Sequence, residues 1–323
     1  MNAIIENSQE VLTRIEQIEN ICGRDIGNNV GNKIKPLMEA AKGGLLEAAR
    51  SIAEHPSPHV AIMTGFFVPR GNPPAAETDG PIGCAHLAAG LVKAGVPVRL
   101  VTDPLCLNAV KVAAQAAGIS TQVPCDVVPV DAASVEEPSV ASIVNAWRSA
   151  KPPVSHVIAI ERAGPGYDGL IWNMIGKDIT ADTAPLHLLF TLSEIISIGI
   201  GDAGNELGMG TLPREIIAKG VSTGEKIACS IPCNHLIVCG VSNWGAIGLL
   251  TAIALLRSDL KSKLTEGLTL EADKHILTKL VYEGPAVDGD TGVQELTIET
   301  FPWEFHGRVL TEILEAAGLI ESV

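Results

Sequence analysis

Short runs of β-branched and aliphatic residues recur along the chain, separated by longer stretches in which apolar residues return every three or four positions. The runs fall at 59–66 (HVAIMTGF), 96–103 (VPVRLVTD), 125–130, 154–162, 193–201 and 235–241 (HLIVCGV). Runs of this length, closed by glycine, proline or a carboxylate, predict strands buried on both faces. Between and around them the helical period predicts helices over 1–20, 36–55, 81–94, 105–117, 134–150 and 213–219. An Ala, Ile and Leu helix ending at Arg257 and two more over 262–280 and 304–318 follow. In the first helix Ile4, Ile5, Val11, Leu12, Ile15 and Ile18 recur at helical spacing, and the Gly- and Asn-rich stretch 21–32 reads as a loop.

Strands that alternate with helices predict an α/β fold, a mostly parallel sheet flanked by helices on both faces in a three-layer α/β/α arrangement. We expect an N-terminal helical segment over 1–55 packed on an α/β domain over 56–323 that carries the site. Hydrophobic residues make up 46% of the chain but aromatics only 3%, so the core must be built from Ala, Val, Ile and Leu, as in a buried parallel sheet. The formal net charge of -14 argues against a grip on nucleic-acid phosphates, which needs clustered Lys and Arg.

The seven cysteines form no C-x-x-C pair, and Cys229 and Cys233, although close to His235, lack the second pair of a zinc set. They read as buried thiols of a reducing compartment. No apolar stretch approaches the ~20 residues needed to cross a bilayer, so no membrane partner is expected. The first ten residues carry acids and lack a basic targeting region, which predicts a cytoplasmic protein.

The strand ends carry the candidate chemistry. In open parallel sheets ligands bind beyond the carboxyl ends of the strands. Here those ends hold Thr64, Asp103, Glu161, Asp202 and Asn243, five oxygen-bearing side chains from separate segments. The run closing at Gly201 passes into a glycine-rich turn with Asp202, Asn205 and Glu206, a set of oxygen donors that favours a cation. Gly199, Gly201 and Gly204 also spell the dinucleotide fingerprint, but an aspartate inside that turn would oppose a pyrophosphate. The loop 67–81 is long and proline-rich, and ends with Asp79 before Gly80-Pro81, where the aspartate is either a helix cap or a ligand. Arg24 is a further candidate for a substrate carboxylate, although a surface role suits it better. The later D-G-D-T-G stretch with Asp288 and Asp290 is too short for an EF-hand.

Several of these segments occur together in order: Thr64-Gly-Phe, Glu77-Thr-Asp-Gly-Pro81, Glu161-Arg-Ala-Gly, Asp168-Gly, Asn173-Met, Asp178-Ile, 201–210 (GDAGNELGMG) and Ser242-Asn-Trp-Gly245. In them the chain resembles the D-glutamate cyclase family. The resemblance implies a lyase that interconverts D-glutamate and 5-oxo-D-proline with loss or gain of water, and suggests a divalent metal. Such chemistry needs an electrophile activated at the γ-carboxyl and a base for the amine. We expect Asp202, Glu206 and Glu161 to hold magnesium, manganese or calcium, and Asp79, Glu161 and Asp202 to be catalytic, with Asp79 as the general base for the ammonium proton. Thr64, Asn205 and Asn243 are candidate substrate contacts, and Arg162 or Lys177 would take the α-carboxylate. A nucleotide-binding oxidoreductase, a metal-dependent hydrolase of another small substrate and a non-catalytic amino-acid sensor are the competing readings. A homo-oligomer stays open.

Overall fold

Every predicted strand is present, and together they make one parallel sheet. The computed structural model describes residues 5–26, 34–119, 121 and 123–321. Its strands are β1 Val60–Thr64, β2 Val98–Thr102, β3 Cys125–Val127, β4 His156–Ile160, β5 Ile196–Gly201 and β6 His235–Val238. They lie in the order β3-β2-β1-β4-β5-β6, and each neighbouring pair is parallel. The chain therefore builds outward from β1 to β3, returns to place β4 beside β1, and builds outward again. Between β1 and β4, where Thr64 is in register with Ile160, the sheet has its switch point. Connections leave that point in opposite directions and open a crevice at the carboxyl edge.

Ten helices of six or more residues cover the sheet among the described residues. They are α1 Gln9–Cys22, α2 Lys35–Ala40, α3 Gly44–Ala53, α4 Pro81–Lys93, α5 Leu107–Ala116, α6 Pro138–Ser149, α7 Arg214–Gly220, α8 Ser242–Leu256, α9 Leu270–Tyr282 and α10 Trp303–Ala316. Strand alternation divides the core in two. Val60 and Ile62 face a cluster that contains Ile15, Leu45, Leu87, Ile247 and Leu310. Ala61 and Met63 face the other, with Val144, Trp147 and Ile217. This is the expected three-layer α/β/α architecture. Residues Ile15, Ile18, Leu45 and Ile52 of the N-terminal helices belong to the same cluster as the sheet residues Ile62 and Ile200.

Two expected helices are broken. The one over 36–55 divides into α2 and α3 because Gly43 takes a left-handed φ of 89°, and the Glu19 carboxylate accepts from Gly43 N and Leu45 N to cap the second piece. The one over 262–280 breaks before Thr269, whose hydroxyl accepts from Ala272 N and starts α9. At the N-terminus α1 starts at Gln9, capped by Ser8. Ile4 and residues 27–32 of the loop expected over 21–32 lie outside the described residues, and α1 continues to Cys22, two residues into that expected loop. Arg24 is paired with Glu312 of α10, which accounts for its charge.

Helices α4 and α8 are buried along nearly their whole length. They approach closely because small residues meet at their start: a Cβ on Gly83 would lie 2.7 Å from Ala246 Cβ and 2.9 Å from Asn243 Cα. Their N-termini are thereby brought side by side at the switch point. The cysteines are unpaired, five buried and two half-buried, and burial pushes the Cys229 thiol up to about 12. Among the described residues no helix is long and apolar enough to cross a membrane.

Candidate active site

The two helix starts cap one another. Asp79, just before α4, accepts from Gly80 N at 2.9 Å and reaches across to Ser242 N and Asn243 N of α8 at 2.7 and 2.8 Å. Asn243 reciprocates, its Oδ1 accepting from Gly80 N and Gly83 N at 3.0 and 2.7 Å and its Nδ2 donating to Thr78 O at 3.2 Å. Each side chain satisfies N–H groups that a buried helix start would otherwise leave orphaned. Gly80 has a φ of 94°, and a Cβ there would meet Thr64 Oγ1 at 2.5 Å and Glu161 Cβ at 2.9 Å, so the turn requires glycine. Two helix dipoles thus direct their positive ends to one point. They meet a concentration of carboxylates.

One carboxylate oxygen each from Asp79, Glu161 and Asp202 lies within 4.8 Å of the others, and all three residues are buried. Glu161 follows β4 with a φ of 44°, a left-handed conformation that costs a non-glycine residue energy and occurs where a side chain must be aimed. Ser242 Oγ donates to its Oε2 at 2.6 Å. Arg162 turns the other way, donating to Gly65 O, Asp103 and Ala184 O at 2.5, 2.6 and 2.7 Å. Its guanidinium ties the ends of β1, β2 and β4 together through Nη1 and Nη2, while its Nε is buried and has no partner among the described residues.

Glu206 is also differently employed. Its Oε1 accepts from Asp202 N and Ala203 N at 3.1 and 2.7 Å, and its Oε2 from Gly204 N at 2.7 Å. The carboxylate folds back onto its own turn because Gly201 has no Cβ, which would lie within 2.9 Å of the Glu206 side chain. Asp79 therefore occupies the place in the acidic triad that the sequence suggested for Glu206. The same geometry bears on the dinucleotide reading: the backbone N–H groups that would bind a pyrophosphate already hold a carboxylate, and the glycine turn follows β5 rather than β1.

The remaining candidates sit around the triad with different freedom. Thr64 Oγ1 and Asn205 Oδ1 are buried without a partner among the described residues, while Asn205 Nδ2 donates to Trp172 O at 2.9 Å. Asn243 has its amide committed to the helix caps. Lys177 is exposed and lines the same cleft as Glu161 and Asp202, and among the described residues no acid pairs with its ammonium. The same cleft is lined by Phe66, Phe67, Val68, Met174 and Ile175.

Three further acids reach this cleft that the sequence did not assign to it: Glu77, Asp290 and Glu299. Glu299 is carried by the turn of a two-strand hairpin, Thr297–Ile298 with Phe301–Pro302. The acids divide by their partners. Asp79, Glu206 and Asp288 each accept three backbone N–H bonds. Among the described residues, the carboxylates of Glu77, Asp202, Asp290 and Glu299 accept none.

Burial first, and neighbouring carboxylates second, hold Glu77, Glu161, Asp202 and Glu299 well above the ordinary carboxylate range. Burial also raises Asp79 to about 6, against the opposing pull of its N–H donors. Bare buried carboxylates are costly unless a cation offsets them. An all-oxygen set of this kind fits a hard divalent ion such as magnesium, manganese or calcium better than zinc. Asp79, Glu161 and Asp202 supply a matching donor set.

A family model described as D-glutamate cyclase-like, C-terminal, matches residues 18–314, which include the whole sheet and every residue of the triad. The chain belongs to the D-glutamate cyclase-like family. The mitochondrial D-glutamate cyclase of Homo sapiens is 32% identical over 254 residues, which cover 76% of this chain and 39% of the human protein. The chain thus spans about two fifths of the length of that relative. Its fold places the family's shared region on a doubly wound sheet, with the acidic cleft at the switch point.

Proposed function

We propose that the chain interconverts D-glutamate and 5-oxo-D-proline plus water, acting as a lyase with a divalent ion. The observation that carries this reading is the buried triad Asp79, Glu161 and Asp202, assembled from three segments at the switch point of a chain in this family. In the ring-closing direction the substrate ammonium must lose two protons, its nitrogen must bond to the γ-carboxyl carbon, and one γ-oxygen must take up two protons, break from that carbon and leave as water. Ring opening runs the same steps backward.

Asp79 and Asp202, with Glu161 beside them, would hold the ion. When bound, it supplies Lewis-acid stabilisation of the negative charge that develops on the γ-oxygen. Glu161 would carry the protons, taking each in turn from the nitrogen and passing it to the departing γ-oxygen. One of its oxygens accepts from Ser242 Oγ, the other is free for the amine, and burial raises its affinity for a proton toward the working range. Asp79 suits this task less well than the sequence suggested, because three N–H donors favour its ionised form. Lys177 would take the α-carboxylate at the mouth, and Phe66, Phe67 and Ile175 would cover the methylene carbons and limit access of bulk water.

A chiral chromatographic assay of metal-stripped protein tests the reading, with D- and L-glutamate and D- and L-5-oxoproline, before and after addition of magnesium or manganese. Turnover of the D pair restored by metal is the expected result. Failure to turn over either pair with any divalent ion would reject it. Binding of glutamate without turnover would point to the sensor.

A further inference from the structure

We propose that Arg70 anchors the α-carboxylate of the substrate beside Lys177 and makes the cleft selective for lactams that carry one. The inference rests on the reading of the substrate as glutamate and 5-oxoproline. Their α-carboxylate does not react in either direction and keeps its charge throughout. Five of the residues that line the cleft are acids, Glu77, Glu161, Asp202, Asp290 and Glu299. A carboxylate that enters among them is repelled unless a cation receives it. Among the described residues two cations line this cleft, Lys177 and Arg70.

The long, proline-rich stretch after β1 gives Arg70 a fixed seat. It folds as a short hairpin, Phe67–Val68 with Ala75–Ala76, and Arg70 lies in the turn between them. Gly71 N donates to Val68 O at 3.0 Å and Asn72 N to Gly292 O at 2.8 Å, so the turn is closed on itself and tied to the segment that follows α9. Packing there is tight: a Cβ on Gly71 would lie 2.8 Å from Pro73 O and 3.1 Å from Val287 Cγ2. From this turn Arg70 Nη2 donates to Gly289 O and Asp290 O at 2.8 and 3.0 Å.

One guanidinium nitrogen thus holds the side chain in place, and the others are left for a ligand. Arg70 is exposed, and its Nε and Nη1 have no partner among the described residues. Nor does it form an ion pair with any acid among them, although five line the same cleft. Two carbonyls fix the guanidinium without neutralising it, so a full positive charge remains available where an anion needs one. A donor ordered before binding adds little to the entropy lost when the ligand arrives.

The test compares full-length wild type, Arg70→Met and Arg70→Lys with Mn2+ present. Isothermal titration calorimetry measures the affinity for 5-oxo-D-proline and for 2-pyrrolidinone, the same ring without the carboxylate, and turnover of 5-oxo-D-proline is followed alongside. Arg70→Met should weaken 5-oxo-D-proline about tenfold or more and leave 2-pyrrolidinone unchanged. Arg70→Lys should recover part of the loss, because an ammonium restores the charge without the planar donors. In turnover the loss should fall on the Michaelis constant more than on kcat, since the α-carboxylate is held alike in the ground and transition states. Undiminished affinity for 5-oxo-D-proline in Arg70→Met would overturn the assignment. So would an equal loss for both lactams, which would mean that the variant disturbs the cleft as a whole. A wild type that binds 5-oxo-D-proline without turning it over, with the carboxylate-specific loss in Arg70→Met, would reject the lyase reading and support the anchor. A wild type that binds neither lactam would overturn both.

Discussion

Replacing Glu206 by glutamine separates a brace from a metal ligand. The glutamine oxygen can keep the bonds from Asp202 N and Ala203 N, but its amide nitrogen then faces Gly204 N, now 2.7 Å from Glu206 Oε2, so two donors oppose each other in a buried turn. A hydrogen bond to a charged group contributes about 1.5–3 kcal/mol, and a stranded buried donor costs a comparable amount, so we expect a loss of about 3 kcal/mol. With an unfolding entropy of about 2.1 cal/mol/K per residue, the whole chain has about 0.7 kcal/mol/K, and the melting temperature should fall by about 4 °C. Differential scanning calorimetry of the metal-stripped protein measures this directly. The number of Mn2+ ions bound per chain should be unchanged. A melting temperature within about 1 °C of the wild type, together with loss of an ion, would refute the brace and restore Glu206 to the ligand set.

Asn243→Ala should destabilise the protein by about 2–4 kcal/mol in denaturant titration, because Gly80 N and Gly83 N lose their acceptor inside a buried helix start. Lys177→Ala should leave the melting temperature unchanged and raise the Michaelis constant for glutamate about tenfold or more, since the exposed ammonium has only a ligand to lose. In the metal-free protein Asp79 holds its proton to about pH 6 instead of 3.8. Between those values the native state binds more protons than the unfolded chain, so stability falls as pH rises, and the raised Glu77, Glu161 and Asp202 extend the fall above that window. Thermal melts across this range should show the decline without metal, and saturating Mn2+ should flatten it.

The strands were legible because each combines a β-branched core with an abrupt polar or glycine end, and a strand buried on both faces has little other way to be written. Their order was not, since nothing local to β4 says that it returns beside β1. The helix break at Gly43 depends on Glu19 of α1, a partner distant in sequence. Convergence of strand ends identified Glu161 and Asp202, and the loop before Gly80 identified Asp79. What the side chains do there depended on neighbours the sequence does not name. Glu206 and Asn243 turned out to face backbone N–H groups, and Arg162 a buried aspartate and two carbonyls. Glu299 was missed because a lone glutamate between a Thr-Ile and a Phe-Pro pair carries no signal until the hairpin lays it over the cleft. Glu77 lay within a quoted motif, and its missing hydrogen-bond partner could be seen only in three dimensions.

The measurement that tests the central claim most directly compares wild type and Asp202→Asn for turnover of D-glutamate and 5-oxo-D-proline, with bound metal quantified on the same samples. If the buried triad is a catalytic metal centre, the variant should remain folded, lose bound ion and lose at least about a hundredfold in turnover, a transition-state loss of about 3 kcal/mol. Normal turnover with normal metal content in Asp202→Asn would contradict the account.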